Sequence, residues 1–169
     1  MIMSSSEMLA AYGSSWPTEK SESHFARIKH AVMDMTRMLD SILLIGRSDA
    51  GMLSFTPEPM DVSKLCAEAV EAAQSGLEPR CIVDNRLPEG ELVVGDSTLL
   101  RHVLTNLLSN AIKYSPDGAP VHLTVQREGS DILLEVQDRG IGIAPDDQKR
   151  LFDTFHQGKN VGNVSGSGL

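Results

Sequence analysis

Six apolar residues, Phe25, Ile28, Val32, Met35, Leu39 and Ile42, recur at intervals of 3, 4, 3, 4 and 3. This is a heptad seam, and it commits the stretch to a long helix with one apolar edge. Ser21 or Ser23 is the expected N-cap. Gly51, with Pro57 and Pro59 beyond it, marks the expected end. At 1.5 Å per residue such a helix is about 40 Å long. Ahead of it, Gly13-Ser-Ser-Trp16-Pro-Thr reads as a turn, and Ile2 to Tyr12 as the end of another helix, at most ~18 Å long. A long seam facing so short a partner leaves apolar surface uncovered. Self-association into a helical bundle would bury it, as would folding of the hairpin onto the rest of the chain.

The pattern changes at about residues 52–58. Glu58-Pro-Met-Asp-Val62 suggests a short strand running into a helix from Val62 to Gln74. Cys81-Ile-Val-Asp-Asn85 and Glu91-Leu-Val-Val94 read as strands. Asp96 stands where an N-cap belongs, ahead of Leu99, Leu100, Val103, Leu104, Leu107, Leu108, Ala111 and Ile112, a strongly helical series that Pro116-Asp-Gly ends. Val121 to Arg127 and Asp131 to Gln137 alternate around Glu-Gly-Ser as a hairpin, and Pro145-Asp-Asp suits the first turn of another helix. Aromatic residues make up only 4%, so the core of this α/β region is aliphatic. The Gly-, Ser- and Asn-rich stretch from Gly158 to Leu169 reads as a loop.

The chemistry concentrates in the second region. Asn106 and Asn110 are four apart and share one helix face. Their amide oxygens suit a hard cation such as Mg²⁺, which shares its oxygen ligands with substrate phosphates. Lys113 follows as a point charge for a phosphate. The same pair also suits a plain solvated stripe. Asp138-Arg-Gly140-Ile-Gly142-Ile follows a strand directly, and its glycines permit a close backbone approach. It is not the dinucleotide fingerprint, because no third glycine follows at the required spacing. Leu151-Phe-Asp-Thr-Phe155 reads equally as core aromatics at helical spacing. Gly166-Ser-Gly168-Leu could cradle phosphates with backbone N–H groups, or be a linker. Cys66 and Cys81, without a Cys/His cluster beside them, read as free thiols. A net charge of −8 excludes the basic footprint of a nucleic-acid binder. No apolar run reaches the length of a membrane span, and no signal peptide opens the chain.

Taken in order, Asn106-Leu-Leu-Ser-Asn110-Ala-Ile-Lys113-Tyr114-Ser-Pro, Asp138-Arg-Gly140-Ile-Gly142-Ile, Leu151-Phe-Asp-Thr-Phe155 and Gly166-Ser-Gly168-Leu resemble the N box, first glycine box, F box and second glycine box of sensor histidine kinases. Gly158-Lys-Asn-Val-Gly-Asn163 is similar to that family's lid loop. The long helix ending in Arg47-Ser-Asp-Ala-Gly51 resembles the second helix of its dimerisation and phosphotransfer hairpin. The resemblance implies an α+β chain. Residues 1–51 would form a partial helical hairpin of the dimeric four-helix-bundle type. Residues 57–169 would form a GHKL-type α/β sandwich ATP-binding domain, shared with gyrase, ninety-kilodalton heat-shock chaperones and mismatch-repair ATPases, and incomplete in its second glycine box.

The same resemblance implies the site. Asn110 would be the principal Mg²⁺ ligand with Asn106 beside it, Lys113 would touch phosphate, and Tyr114 would lie near the nucleotide. Asp138 would read the adenine amino group, Gly140 and Gly142 would line the base pocket, and Gly166 and Gly168 would begin the phosphate lid. The family moves the γ-phosphoryl of ATP to a histidine and then to the receiver domain of a response regulator in a two-component system. It works as a homodimer through its N-terminal helices, in the cytoplasm or as the cytoplasmic part of a membrane-bound sensor. Two departures stand out. Ile2 to Tyr12 resembles the part of the family's first helix just after its acceptor histidine, so the acceptor, with its acidic neighbour and Arg-Thr-Pro-Leu-like stretch, would fall before Met1; His24 and His30 lie in the wrong helix and neither is followed by an acidic residue. The second glycine box stops at Leu169, so autophosphorylation is not expected of this chain alone. A non-catalytic dimerisation and nucleotide-binding fragment is the alternative. Another GHKL-type ATPase would need an acidic general base where Asn106 stands, and an amide cannot serve as one.

Overall fold

The computed structural model describes residues 2–12, 15–74, 80–151 and 153. Two compact units divide the chain near residue 53.

The first unit holds α1 (Ile2–Tyr12) and α2 (Thr18–Asp49). With 32 residues, α2 is about 48 Å long. It begins a turn before the expected serines. The reason is local: the Pro17 carbonyl accepts N–H bonds from Lys20 (3.0 Å) and Ser21 (3.3 Å), so the helix starts without a side-chain cap. It stops as expected. Gly51 takes φ +64°, Met52 N–H reaches the Arg47 carbonyl (2.8 Å) and Gly51 N–H the Ser48 carbonyl (3.0 Å), the paired bonds of a Schellman motif. Trp16 organises the turn between the helices. Its ring stacks on Tyr12, meets the His24 ring at 4.8 Å and carries Lys20 Nζ at 4.1 Å. Along the seam, Phe25, Val32, Met35, Leu39 and Ile42 are exposed.

The second unit is a two-layer α/β arrangement. β1 (Glu58–Asp61) pairs antiparallel with β3 (Leu92–Gly95). β2 (Cys81–Asn85), β4 (Val121–Glu128) and β5 (Asp131–Gln137) form a second sheet in that order. β2 runs parallel to β4 in the register Cys81↔Val121 to Asn85↔Val125. Parallel neighbours need a crossover, and here it contains α4 (Ser97–Tyr114). β4 and β5 form an antiparallel hairpin from Glu128↔Asp131 to His122↔Gln137, turned at Gly129 with φ +61°.

The alternating pattern in β4 buries Val121, Leu123 and Val125 on one face. Against them lie Val62, Leu65, Cys66, Ala69 and Val70 of α3 (Val62–Ala73) and Leu104, Leu108, Ala111 and Ile112 of α4. Full burial of each such Leu or Val contributes roughly 1.5–3 kcal/mol. Cys66 and Cys81 are free thiols. Burial pushes the Cys66 thiol up to about 11, which keeps it a protonated core residue. Only a short helix, α5 (Pro145–Gln148), follows the hairpin among the described residues. None of the described helices is long and apolar enough to cross a membrane.

Candidate nucleotide site

α4 is set at its start by Asp96. One carboxylate oxygen accepts N–H bonds from Thr98 and Leu99 (3.0 Å each), and the other accepts from Thr56 N–H (3.0 Å) and its hydroxyl (3.1 Å). The backbone bond from Thr56 is the leading reason the Asp96 carboxyl is held below the usual carboxylate range, and the Leu99 bond comes next. Once capped, the helix presents two faces. Leu104, Leu108, Ala111 and Ile112 go inward, while Asn106, Asn110 and Lys113 form an exposed polar stripe. Lys113 Nζ lies 5.1 Å from the centre of the half-buried Tyr114 ring. The helix ends at Tyr114 because Ser115, preceding Pro116, is pushed into extended backbone at φ −88°, ψ 149°.

The glycine turn meets that end of α4. Ile141 N–H donates to the Tyr114 carbonyl at 3.3 Å. A Cβ on Gly140 would fall 2.7 Å from the same oxygen, so only glycine fits without movement. Asp138 Oδ1 accepts the Gly140 N–H at 2.7 Å and braces the turn, and among the described residues no hydrogen bond reaches Oδ2. Asp138, Ile141 and Ile143 are exposed, and Gly142 sits at φ +66°. The glycine turn, with its carboxylate and its exposed isoleucines, therefore meets the last turn of α4, and Asn110 and Asn106 lie one and two turns back along the same helix. Such a corner offers amides and a lysine to an anion or cation, a carboxylate to an amino group, and apolar surface to a flat ring.

Asn106, Asn110, Lys113 and Tyr114 thus share one helix, and Gly140 is in contact with its last turn. Asp138 is joined to this contact through Gly140. Phe152, Phe155, His156, Gly166 and Gly168 lie outside the described residues. His24, set aside as an acceptor, packs on Trp16. A cavity of about 570 Å³ in the second unit lies elsewhere, lined by Met60, Leu92, Val94, Arg127, Ile132 and Leu134 among others, and none of the candidate residues borders it.

Sequence reasoning missed Arg80. Its Nη1 donates to the Pro116 carbonyl at 2.9 Å and its Nη2 to the Ile112 carbonyl. It precedes a strand and belongs to no motif, so nothing in its spacing signals a bond to a helix end more than thirty residues away.

The chain is also similar to known proteins. Residues 95–169 match the family model described as histidine kinase-, DNA gyrase B-, and HSP90-like ATPase. The sensor-like histidine kinase SenX3 of Mycobacterium tuberculosis is 42% identical over 113 residues, which cover 65% of this chain and 28% of that protein. The chain therefore spans little more than a quarter of that relative's length. Among solved structures, the mycobacterial sensor histidine kinase MprB is 28% identical with a TM-score of 0.54, covering 68% of this chain and 72% of that one. Full-length ShkA, solved in complex with AMPPNP, is 25% identical with a TM-score of 0.63 and covers 94% of this chain and 33% of its own. With these relatives beside it, residues 95–169 carry a histidine kinase-, DNA gyrase B- and HSP90-like ATPase domain, and the chain as a whole is similar to the sensor histidine kinases.

Proposed function

We propose that this chain binds Mg-ATP at the corner between α4 and the glycine turn, as the nucleotide-binding part of a two-component histidine kinase. The observation that carries the reading is the bond from Ile141 N–H to the Tyr114 carbonyl, which brings the carboxamide helix and the glycine turn into one place. The binding of AMPPNP by ShkA supports it.

In this reading Asp138 Oδ2 accepts the exocyclic amino group of adenine, since Oδ1 is already engaged with Gly140. That preference favours ATP over GTP, whose base offers a carbonyl at the same place. Ile141 and Ile143 cover a face of the base, and Tyr114 lies near the nucleotide. Asn110, with Asn106 beside it, fits Mg²⁺: both amides are exposed on one stripe and both offer hard oxygen donors. When bound, the ion neutralises phosphate charge. Lys113 adds a point charge for a phosphate oxygen, and Gly166 and Gly168 start the loop that covers the phosphates. Phosphoryl transfer needs chiefly positioning and charge neutralisation, so this part of the protein needs no covalent nucleophile.

The γ-phosphoryl then goes to a histidine nitrogen and onward to an aspartate in the receiver domain of a response regulator. Residues 1–51 act as the dimerisation hairpin and 57–169 as the ATP-binding domain. The exposed seam of α2 supports a homodimer, because a contiguous apolar stripe of that length asks for a partner. ATP and receiver domains put the reaction in the cytoplasm.

Asp138→Asn tests the pocket. Loss of a charge-assisted hydrogen bond costs about 1.5–3 kcal/mol, or roughly ten- to a hundredfold in ATP affinity. Calorimetric titration measures it, and an unchanged dissociation constant removes Asp138 from the base pocket.

A further inference from the structure

A helix cannot satisfy its own last four carbonyls. At the end of α4, which carries the nucleotide stripe, two of these are answered from outside. Ile141 N–H takes the Tyr114 carbonyl at 3.3 Å, and Arg80 Nη2 takes the Ile112 carbonyl. Arg80 Nη1 takes the carbonyl of Pro116, just past the helix, at 2.9 Å. The guanidinium therefore grips the chain on both sides of Tyr114, the residue on which the glycine turn rests. A cation at a helix C-terminus is also favoured by the helix dipole, and a planar fork with two engaged donors fixes direction as well as distance.

Arg80 is itself held. Gln74 Oε1, at the C-cap of α3, accepts the N–H groups of Arg80 and Cys81 at 3.2 Å each. Cys81 then opens β2 opposite Val121 of β4, and Val121 N–H donates to the Arg80 carbonyl at 3.0 Å. The backbone of Arg80 is thus tied to α3 and β4, and its side chain carries that anchorage to the end of α4.

We infer that Arg80 is a positioning residue of the nucleotide site. It sets the last turn of α4, and through it the placement of Lys113 and of the Tyr114 carbonyl against which Gly140 and Ile141 seat. This rests on the reading of that corner as the ATP pocket. In this role Arg80 acts through the end of α4 and not on the nucleotide: one donor on each terminal nitrogen goes to a carbonyl that shapes that end. Its removal therefore acts on binding more than on the transfer step.

The test uses the full-length protein that the gene encodes. Arg80→Met keeps the apolar stem and removes the donors; Arg80→Lys restores the charge and one donor. ATP affinity, KM and kcat are measured well below the melting temperature, together with hydrogen exchange at the Ile141 amide. Arg80→Met is expected to weaken ATP binding about tenfold and to raise KM, with kcat at saturating ATP kept within about twofold. The Ile141 amide exchanges faster, and Arg80→Lys recovers part of the affinity. If Arg80→Met does not fold, Arg80→Gln, which keeps an uncharged donor, takes its place under the same criteria. An Arg80→Met protein that binds ATP as the parent does overturns the inference alone. A parent protein that binds no ATP overturns the pocket reading and this inference with it.

Discussion

A methyl group on residue 140 would stand 2.7 Å from the Tyr114 carbonyl oxygen and 3.0 Å from its carbon. Both are backbone atoms and cannot rotate away, so Gly140→Ala must shift either the glycine turn or the end of α4. Forcing a methyl group into such a contact costs about 1–3 kcal/mol. The same shift displaces Ile141 N–H from the Tyr114 carbonyl. Gly140→Ala should therefore lower both the urea midpoint and ATP affinity. Gly142 differs in kind: among the described residues nothing lies within 4 Å of its Cβ position, and its φ of +66° is a backbone demand. Gly142→Ala should cost about 1–2 kcal/mol of backbone strain. Urea denaturation of the two variants, paired with ATP titration, separates contact from strain. Equal affinity in Gly140→Ala and parent would contradict the seating of the turn on α4.

α4 is the element on which the site depends, and Asp96 ties its start to the Thr56 segment as well as to its own first turn. Asp61 is a simpler cap, accepting one bond from Lys64 N–H at 2.9 Å at the start of α3. Asp96→Ala should thus destabilise the second unit more than Asp61→Ala. The pH dependence has a definite sign. The hydrogen bonds favour the charged carboxylate in the folded state and lower its pKa. The unfolded chain therefore takes up the proton first. The stability from Asp96 is present in full above the usual carboxylate range and is lost as pH falls through the lower, folded value. Asp96→Asn should flatten that acid limb of stability against pH, as read from denaturant midpoints between about pH 3 and 6. An unchanged acid limb would mean that other carboxylates carry it.

At the scale of the whole molecule, the two units obey different rules. The second buries its apolar face within itself, between α3, α4 and the β2–β4–β5 sheet. The first does not: five of the six seam residues are exposed on α2. Burying a residue of that size yields roughly 1.5–3 kcal/mol, so a parallel or antiparallel partner helix would recover much of what the single chain leaves in water. Replacing Leu39 and Ile42 together with Glu should convert a dimer into a monomer in sedimentation experiments while leaving the circular dichroism of the second unit in place. A parent protein that sediments as a monomer at micromolar concentration would defeat the dimer proposal.

Periodicity alone determined most of the elements. The heptad stretch, the capped helix at Asp96 and the β4–β5 hairpin all lie where their spacing and punctuation put them, because hydrophobic period, caps and turn residues act over a few neighbours. The start of α2 escaped this reading, since a proline carbonyl did the work expected of a serine side chain. The order of the boxes was legible too, but not what joins them. That Tyr114 would receive Ile141, that Gly140 would be glycine on account of a helix carbonyl, and that Arg80 would close the other side of that turn depend on strand pairing and layer packing. Those contacts link residues far apart in the chain, and no local pattern encodes the distance between them.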